Sequence, residues 1–206
     1  MTAPLSAEEF RRITGVSRET CEKLGEFLRH LAAWQAKINL VSSASLADVW
    51  RRHVLDSAQL YPHLPRPCDR LLDLGSGAGF PGLVLAVIGL RGVHLVDSDG
   101  RKCAFLNHVA RKLDVPVTVH RRRIEEMPPV PAGCVTARAC APLPRLLRLA
   151  APFCNGKTRC LFLKGAGVDN EIAGIGRHYS IERIPSLSSD SGTVLRIDGS
   201  IDAAII

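Results

Sequence analysis

The chain has 206 residues, 46% hydrophobic and 23% charged, which is enough apolar content for a buried core and too much for a chain disordered throughout. Its longest apolar stretch, Leu83 to Leu90, has eight residues against the roughly 20 that a bilayer span needs, and the first residues lack the apolar run of a secretory signal. No membrane association and a cytoplasmic location are therefore expected. The formal net charge of +7 is concentrated in residues 71–150, which carry eleven basic and six acidic side chains.

The first 65 residues read as helical. Ser6-Ala7-Glu8-Glu9 has the form of a helix start with acids in its first turn, and Gly15 ends that helix. A longer helix is expected from about Ser17 to Ile38, with Leu24, Phe27, Leu28, Leu31 and Trp34 on one face. A third is expected from about Ser45 to Tyr61, before Pro62, Pro65 and Pro67 break the pattern. Trp34 and Trp50 fall at core spacing and are read as packing.

Strands and helices then alternate. Arg70–Leu74 is a short apolar strand running into Gly75-Ser76-Gly77-Ala78-Gly79-Phe80-Pro81-Gly82, with Pro81 in the first turn of a helix to Ile88. Val93–Asp97, Val117–His120, Cys134–Ala137 and Cys160–Leu163 are further strands, separated by helices over Arg101–Leu113 and Leu143–Leu149. The end reads as a hairpin, Ser180–Ile184 and Thr193–Ile197 around a Ser- and Gly-rich turn. This alternation predicts an α/β fold: a mostly parallel, twisted, Rossmann-like sheet with helices on both faces and an antiparallel C-terminal edge strand. The expected organisation is an N-terminal helical extension, 1–65, packed on a core, 66–206. Seven cysteines without a C-x-x-C pair read as free thiols in a reducing compartment, and no metal site is expected.

The glycine loop carries the chemistry. Read from Gly77, the residues fit G-x-G-x-x-G with Asp97 twenty positions on, as in dinucleotide folds. Read from Asp73 they form D-x-G-x-G-x-G, typical of S-adenosylmethionine (SAM) methyltransferases. The strand stops at Leu74, so Gly75 opens the turn and the second register fits better. An acid beside the loop also suits a cationic cofactor and would repel a pyrophosphate. Asp97, at the end of the next strand, can accept hydrogen bonds from a ribose diol.

Beyond the loop, the chain carries Asn39-Leu40, Arg52-His53-Val54-Leu55-Asp56-Ser57, Asp97-Ser98, Arg123-Ile124-Glu125, Ala137-Arg138-Ala139 and Leu163-Lys164-Gly165 in order. With these it resembles the bacterial RsmG (GidB) family, which methylates guanine N7 in small-subunit (16S) ribosomal RNA. The resemblance implies a class I SAM methyltransferase fold, with Gly75, Gly77 and Phe80 at the cofactor and Asp97 on its ribose. It further implies that Ile124 and Glu125 flank the adenine and that Arg138 closes the pocket. The family pattern has Phe-Asp where this chain has Gly133-Cys134, and Ser where it has Ala137; neither touches the glycine loop.

Guanine N7 has a lone pair and no proton to lose, so no general base is expected. Lys164 is a positioning candidate toward guanine O6 or a phosphate, or a solvated strand-end lysine. His53 and Asp56 share a helix face and either line the cleft or tie the helical segment to the sheet. Cys140 reads as a packed thiol rather than a nucleophile. Arg121 and Arg122 read as phosphate contacts or exposed charge. The basic middle suits ribosomal RNA or the small subunit as partner; a monomer with no DNA partner is expected. Other readings are a SAM methyltransferase on a small molecule or protein, a nucleotide-dependent oxidoreductase, and a non-catalytic RNA-binding module.

Overall fold

A computed structural model describes residues 3–175 and 179–202; positions 176–178 and 203–206 of the expected core lie outside the described residues. The N-terminal segment starts with α1 (Ala7–Thr14), whose Ser6 and Glu9 form a reciprocal capping box. It continues with α2 (Arg18–Gln35), capped by Ser17. The single helix expected over 45–61 is instead a series of short pieces. These are α3 (Ser43–Leu46), a π-helical stretch over Trp50–Leu55, α4 (Asp56–Ala58) and a 3-10 turn over Tyr61–His63.

Five parallel strands follow: β1 (Leu71–Leu74), β2 (Val93–Asp97), β3 (Val117–Arg121), β4 (Cys134–Arg138) and β5 (Arg159–Lys164). They are linked by α5 (Gly82–Ile88), α6 (Gly100–Lys112) and α7 (Leu143–Ala150). A six-residue α8 (Val168–Ala173), which the sequence reading did not anticipate, precedes β6 (Ile181–Pro185) and β7 (Thr193–Asp198). The seven strands form one sheet in the order β3-β2-β1-β4-β5-β7-β6. The last strand of the sequence is not at the rim: β7 lies between β5 and β6 and runs antiparallel to both.

Two apolar layers cover the sheet. One joins Leu71, Val93 and Leu95 to Leu83, Phe105, Val109 and the N-terminal Phe10, Leu24 and Phe27. The other joins Leu72, Leu74, Val96 and Val135 to Leu146, Leu147 and Phe153. The α2 ring of Phe27 stands 5.1 Å from Phe80 and 6.2 Å from Phe105, so the N-terminal helices share the core of the sheet rather than only touching it. Trp34 and Trp50 pack on the rim of this layer. The strand order reverses between β1 and β4, and the loops that follow these two strands diverge there. An open α/β sheet has its ligand crevice at this point.

Candidate cofactor and acceptor site

Gly75 opens the loop after β1 at φ +68, and a Cβ there would stand 2.9 Å from Cys140 Sγ. Only glycine lets the loop after β4 come this close. Asp73, one strand position before Leu74, is fully buried. It accepts hydrogen bonds from Thr136 Oγ1 at 2.8 Å and from the Gly82 amide at 3.2 Å. Burial pushes its pKa up to about 6, against partial compensation from those donors. The expectation that Asp73 serves a cofactor's charge is therefore replaced: its carboxyl holds β1, β4 and the start of α5 together.

Asp97, at the end of β2, accepts from the Gly77 amide through Oδ2 at 2.9 Å and from the Asp99 amide through Oδ1 at 2.8 Å. A carboxylate offers about four lone-pair positions, so two remain for a diol. The carboxylate faces a cavity of about 190 Å³, lined among others by Gly75, Val96, Arg122, Ile124, Glu125 and Leu149. A glycine floor, a carboxylate at the strand end and an apolar slot between Ile124 and Leu149 fit an adenosine with its ribose. Arg122, expected outside the pocket, is part of its wall, and Arg121 lays its guanidinium against Gly100. Glu125 stands 3.9 Å from Arg145 of α7.

A second, larger cleft of about 1220 Å³ meets the first at Cys140 and Ala141, which line both. Its walls are the π-helical segment with Arg51, Arg52 and His53, the loop after β4, Lys164 at the end of β5, and the loop 186–192 between β6 and β7. Of the expected cofactor residues, Gly75, Asp97, Ile124 and Glu125 thus share one cavity, whereas Arg138 belongs to the cleft, with the two positioning candidates His53 and Lys164. Gly77 enters through its amide on Asp97. Phe80 is 2% exposed and lines neither space; it meets the cleft through Arg138 and His53. The Arg138 guanidinium lies 5.0 Å from its ring centroid, and the His53 ring stacks on it at 4.8 Å.

His53 is buried, its Nε2 2.8 Å from Ser45 Oγ and its Nδ1 without a partner among the described residues. Burial, with Arg138 and Arg52 nearby, lowers its pKa to about 3, so the imidazole is neutral and a poor base. Lys164 donates to Glu171 Oε2 at 2.6 Å and to the Ala141 carbonyl at 2.8 Å. Its ammonium is committed to bracing the loop after β4 against α8. Cys140 has its thiol pKa raised by burial, in keeping with a packing role. The sequence reading did not foresee Arg145, Leu149, Glu171 or the 186–192 loop; the last two meet the site only through tertiary contacts.

A family model described as rRNA small subunit methyltransferase G matches residues 20–193. The chain is 51% identical over 195 residues to the ribosomal RNA small subunit methyltransferase G of Paramagnetospirillum magneticum, covering 94% of this chain and 95% of that protein. It is 50% identical to the protein of the same name from Rhodospirillum rubrum, covering 94% and 97%. Among solved structures, a mutant of MtNAS in complex with S-adenosylmethionine superposes with a TM-score of 0.55 at 16% identity, over 95% of this chain and 84% of that one. The ribosomal protein L11 methylase of Lactobacillus delbrueckii subsp. bulgaricus gives 0.57 at 14% identity, over 71% and 77%. Likenesses at such low identity are likenesses of fold.

Proposed function

The chain belongs to the GidB family, the rRNA small subunit methyltransferases G, and from that premise we propose that it transfers a methyl group from SAM to N7 of one guanine in 16S ribosomal RNA. The supporting observation is the meeting of two spaces at Cys140 and Ala141: a cavity of about 190 Å³ with the Asp97 carboxylate in its wall, and a cleft of about 1220 Å³ that can take a larger acceptor. When bound, SAM supplies an electrophilic methyl on a sulfonium. The protein's contribution is to hold cofactor and base in line, which can account for much of the acceleration.

The charged groups of the cleft suit a nucleophile that has no proton to lose. Asp48 accepts from the Leu5 amide and pairs with Arg51; Glu171 is taken by Lys164 and the Leu143 amide. Asp56 is taken by Gln59, Ser188 and Arg138. These three carboxylates are spent on structure, the fourth, Asp190, stands exposed on the 186–192 loop at the rim, and His53 is neutral and weakly basic. Methylation of an exocyclic amine or a hydroxyl leaves a proton to be taken away, and methylation of guanine N7 leaves none. The chain folds without a separate RNA-binding unit among the described residues, so the target is read by the shape of a folded RNA whose base is accessible outside a duplex.

The direct test is methyl transfer from labelled SAM to 16S RNA and to small subunits from cells lacking this activity, followed by chemical cleavage at 7-methylguanine. Label at a single cleavable guanine is expected. Label that resists cleavage would move the methyl to another atom, and absence of label despite tight SAM binding would move the acceptor away from ribosomal RNA. Asp97→Ala removes two carboxylate acceptors from the ribose and two from the loop amides. Each charged hydrogen bond is worth roughly 1.5–3 kcal/mol, so SAM affinity is expected to fall by at least about a hundredfold in calorimetry. Near-normal affinity would remove Asp97 from the ribose.

A further inference from the structure

We propose that Asp56 is a positioning residue shared by the cofactor and acceptor sides of the site, one carboxylate oxygen serving each. This inference rests on the proposed function, with the methionine end of SAM reaching past Cys140 and Ala141 to the part of the cleft that Arg138 lines. Asp56 Oδ2 stands 3.6 Å from Arg138 Nη1, and both side chains are 18% exposed. The same Nη1 donates to the Arg52 carbonyl at 3.0 Å, within the π-helical stretch. Arg138 is thereby fixed over the Phe80 ring of the glycine loop, and Phe80 is backed on its other contacts by His53 and Phe27. Cation–π attraction acts within about 6 Å of the ring centroid, and the Asp56 carboxylate and the Arg52 carbonyl hold the guanidinium inside that range.

The other oxygen faces the opposite rim of the cleft. Asp56 Oδ1 accepts from Ser188 Oγ at 2.6 Å and from Gln59 Nε2 at 3.0 Å. Gln59 in turn donates to Ser186 Oγ at 3.1 Å and accepts from the Leu187 amide at 2.8 Å. The loop between β6 and β7 is thus strapped to the N-terminal segment through Asp56 and Gln59, the carboxylate lying 132 positions away in sequence from Ser188. An acceptor that presses on this rim meets a chain of contacts that ends at the glycine loop: Ser188, Asp56, Arg138, Phe80.

Two substitutions separate the two oxygens. In Asp56→Asn the amide oxygen can still accept from Ser188 and Gln59, while the amide nitrogen faces Arg138 and no longer attracts it. In Ser188→Ala the strap loses its hydroxyl and the Arg138 contact stays. Residues in one hydrogen-bond network couple strongly. Asp56→Asn is expected to weaken SAM binding about tenfold, measured by calorimetry on the purified full chain. Arg138→Met is expected to weaken it at least as much, and the double variant no further than Arg138→Met alone. Ser188→Ala is expected to leave SAM affinity unchanged and to raise KM for the small subunit several-fold at nearly constant kcat.

If Arg138→Met binds SAM like the wild type, the assignment of Arg138 to the cofactor side falls. If it is weakened while Asp56→Asn is not, or if the two losses multiply in the double variant, the positioning role of Asp56 falls. Should Asp56→Asn not fold, Asp56→Glu takes its place, keeping the charge but displacing it by one methylene from both partners: weakened SAM binding that does not add to that of Arg138→Met, together with a raised KM, supports the shared anchor, and wild-type SAM affinity overturns it.

Discussion

Asp73→Asn is expected to change the pH dependence of folding stability by about 3 kcal/mol between pH 3.8 and about pH 6. The estimate takes roughly 1.4 kcal/mol per pH unit of pKa shift. In the folded chain the carboxyl is fully buried and its pKa is pushed from 3.8 up to about 6. Between these values the unfolded chain has released the proton and the native chain keeps it, so ionisation favours unfolding and this group lowers stability as pH rises. His53 acts in the opposite sense, because its pKa falls from 6.5 to about 3. Between those values the unfolded chain binds a proton that the native chain refuses, so stability is lost as pH falls.

The two slopes oppose each other from about pH 4 to pH 6, where the wild-type profile should be nearly flat as far as these two groups decide it. Asp73→Asn leaves the His53 slope alone, and stability should then climb from about pH 3 to pH 6.5. The amide can still serve both neighbours, its oxygen accepting from Gly82 and its nitrogen donating to a reoriented Thr136 hydroxyl. His53→Gln should leave the converse, stability that falls across pH 4–6. Urea titrations of the three proteins at several pH values test this, and an Asp73→Asn curve parallel to the wild type would refute the assignment.

Gly82→Ala is the second substitution with a large expected effect. On helix propensity alone alanine at a helical glycine gains up to about 1 kcal/mol. Here the added Cβ would stand 2.4 Å from Leu95 Cδ2 and 2.8 Å from both Cβ and Oδ2 of Asp73. Leu95 is itself fully buried, so its methyl has nowhere to retreat. Overpacking of a closed core costs about 1–3 kcal/mol, and the shift also loosens the Gly82–Asp73 hydrogen bond. A net loss of about 2 kcal/mol is expected in urea, together with loss of SAM binding because α5 carries the end of the glycine loop. Gly156→Ala is the control: a Cβ there meets nothing within 4 Å, and its effect should stay within about 0.5 kcal/mol. Equal stabilities for the two variants would refute the close packing of α5 on β1 and β2.

How much of this is legible in the sequence depends on whether the signal is local. The strands and the helices α2, α5, α6 and α7 came out within a few residues, because their apolar periodicity or short apolar runs lie between Gly and Pro punctuation. On the expected cofactor side, Gly75, Asp97, Ile124 and Glu125 lie at or within four residues of a strand end, where the sequence already marks a candidate site. The segment from Ser45 to Tyr61 was read as one helix because six residues, Trp50–Leu55, cannot distinguish a helical period from a π period. The short α8, lying between Gly167 and Gly174, has too few turns to show periodicity. The acceptor cleft was the least legible part. Its rim depends on pairs such as Asp56 with Ser188 and Lys164 with Glu171, whose sequence separation carries no repeating pattern.

The placement of β7 has a consequence for how the molecule comes into being on the ribosome. Thr193–Asp198 fills the space between β5 and β6, so while the chain is being synthesised β5 has an open edge until these six residues have left the exit tunnel. Until then β6 has no partner in the sheet, and the strap to Asp56 cannot be fixed at its β7 end. The parallel half of the sheet, β1 to β5, can form early from its sequential units, whereas the rim of the larger cleft is completed only once β7 has been made. An unfinished chain would therefore combine an assembled glycine loop with an unpaired strand edge, the kind of surface that invites pairing with other chains.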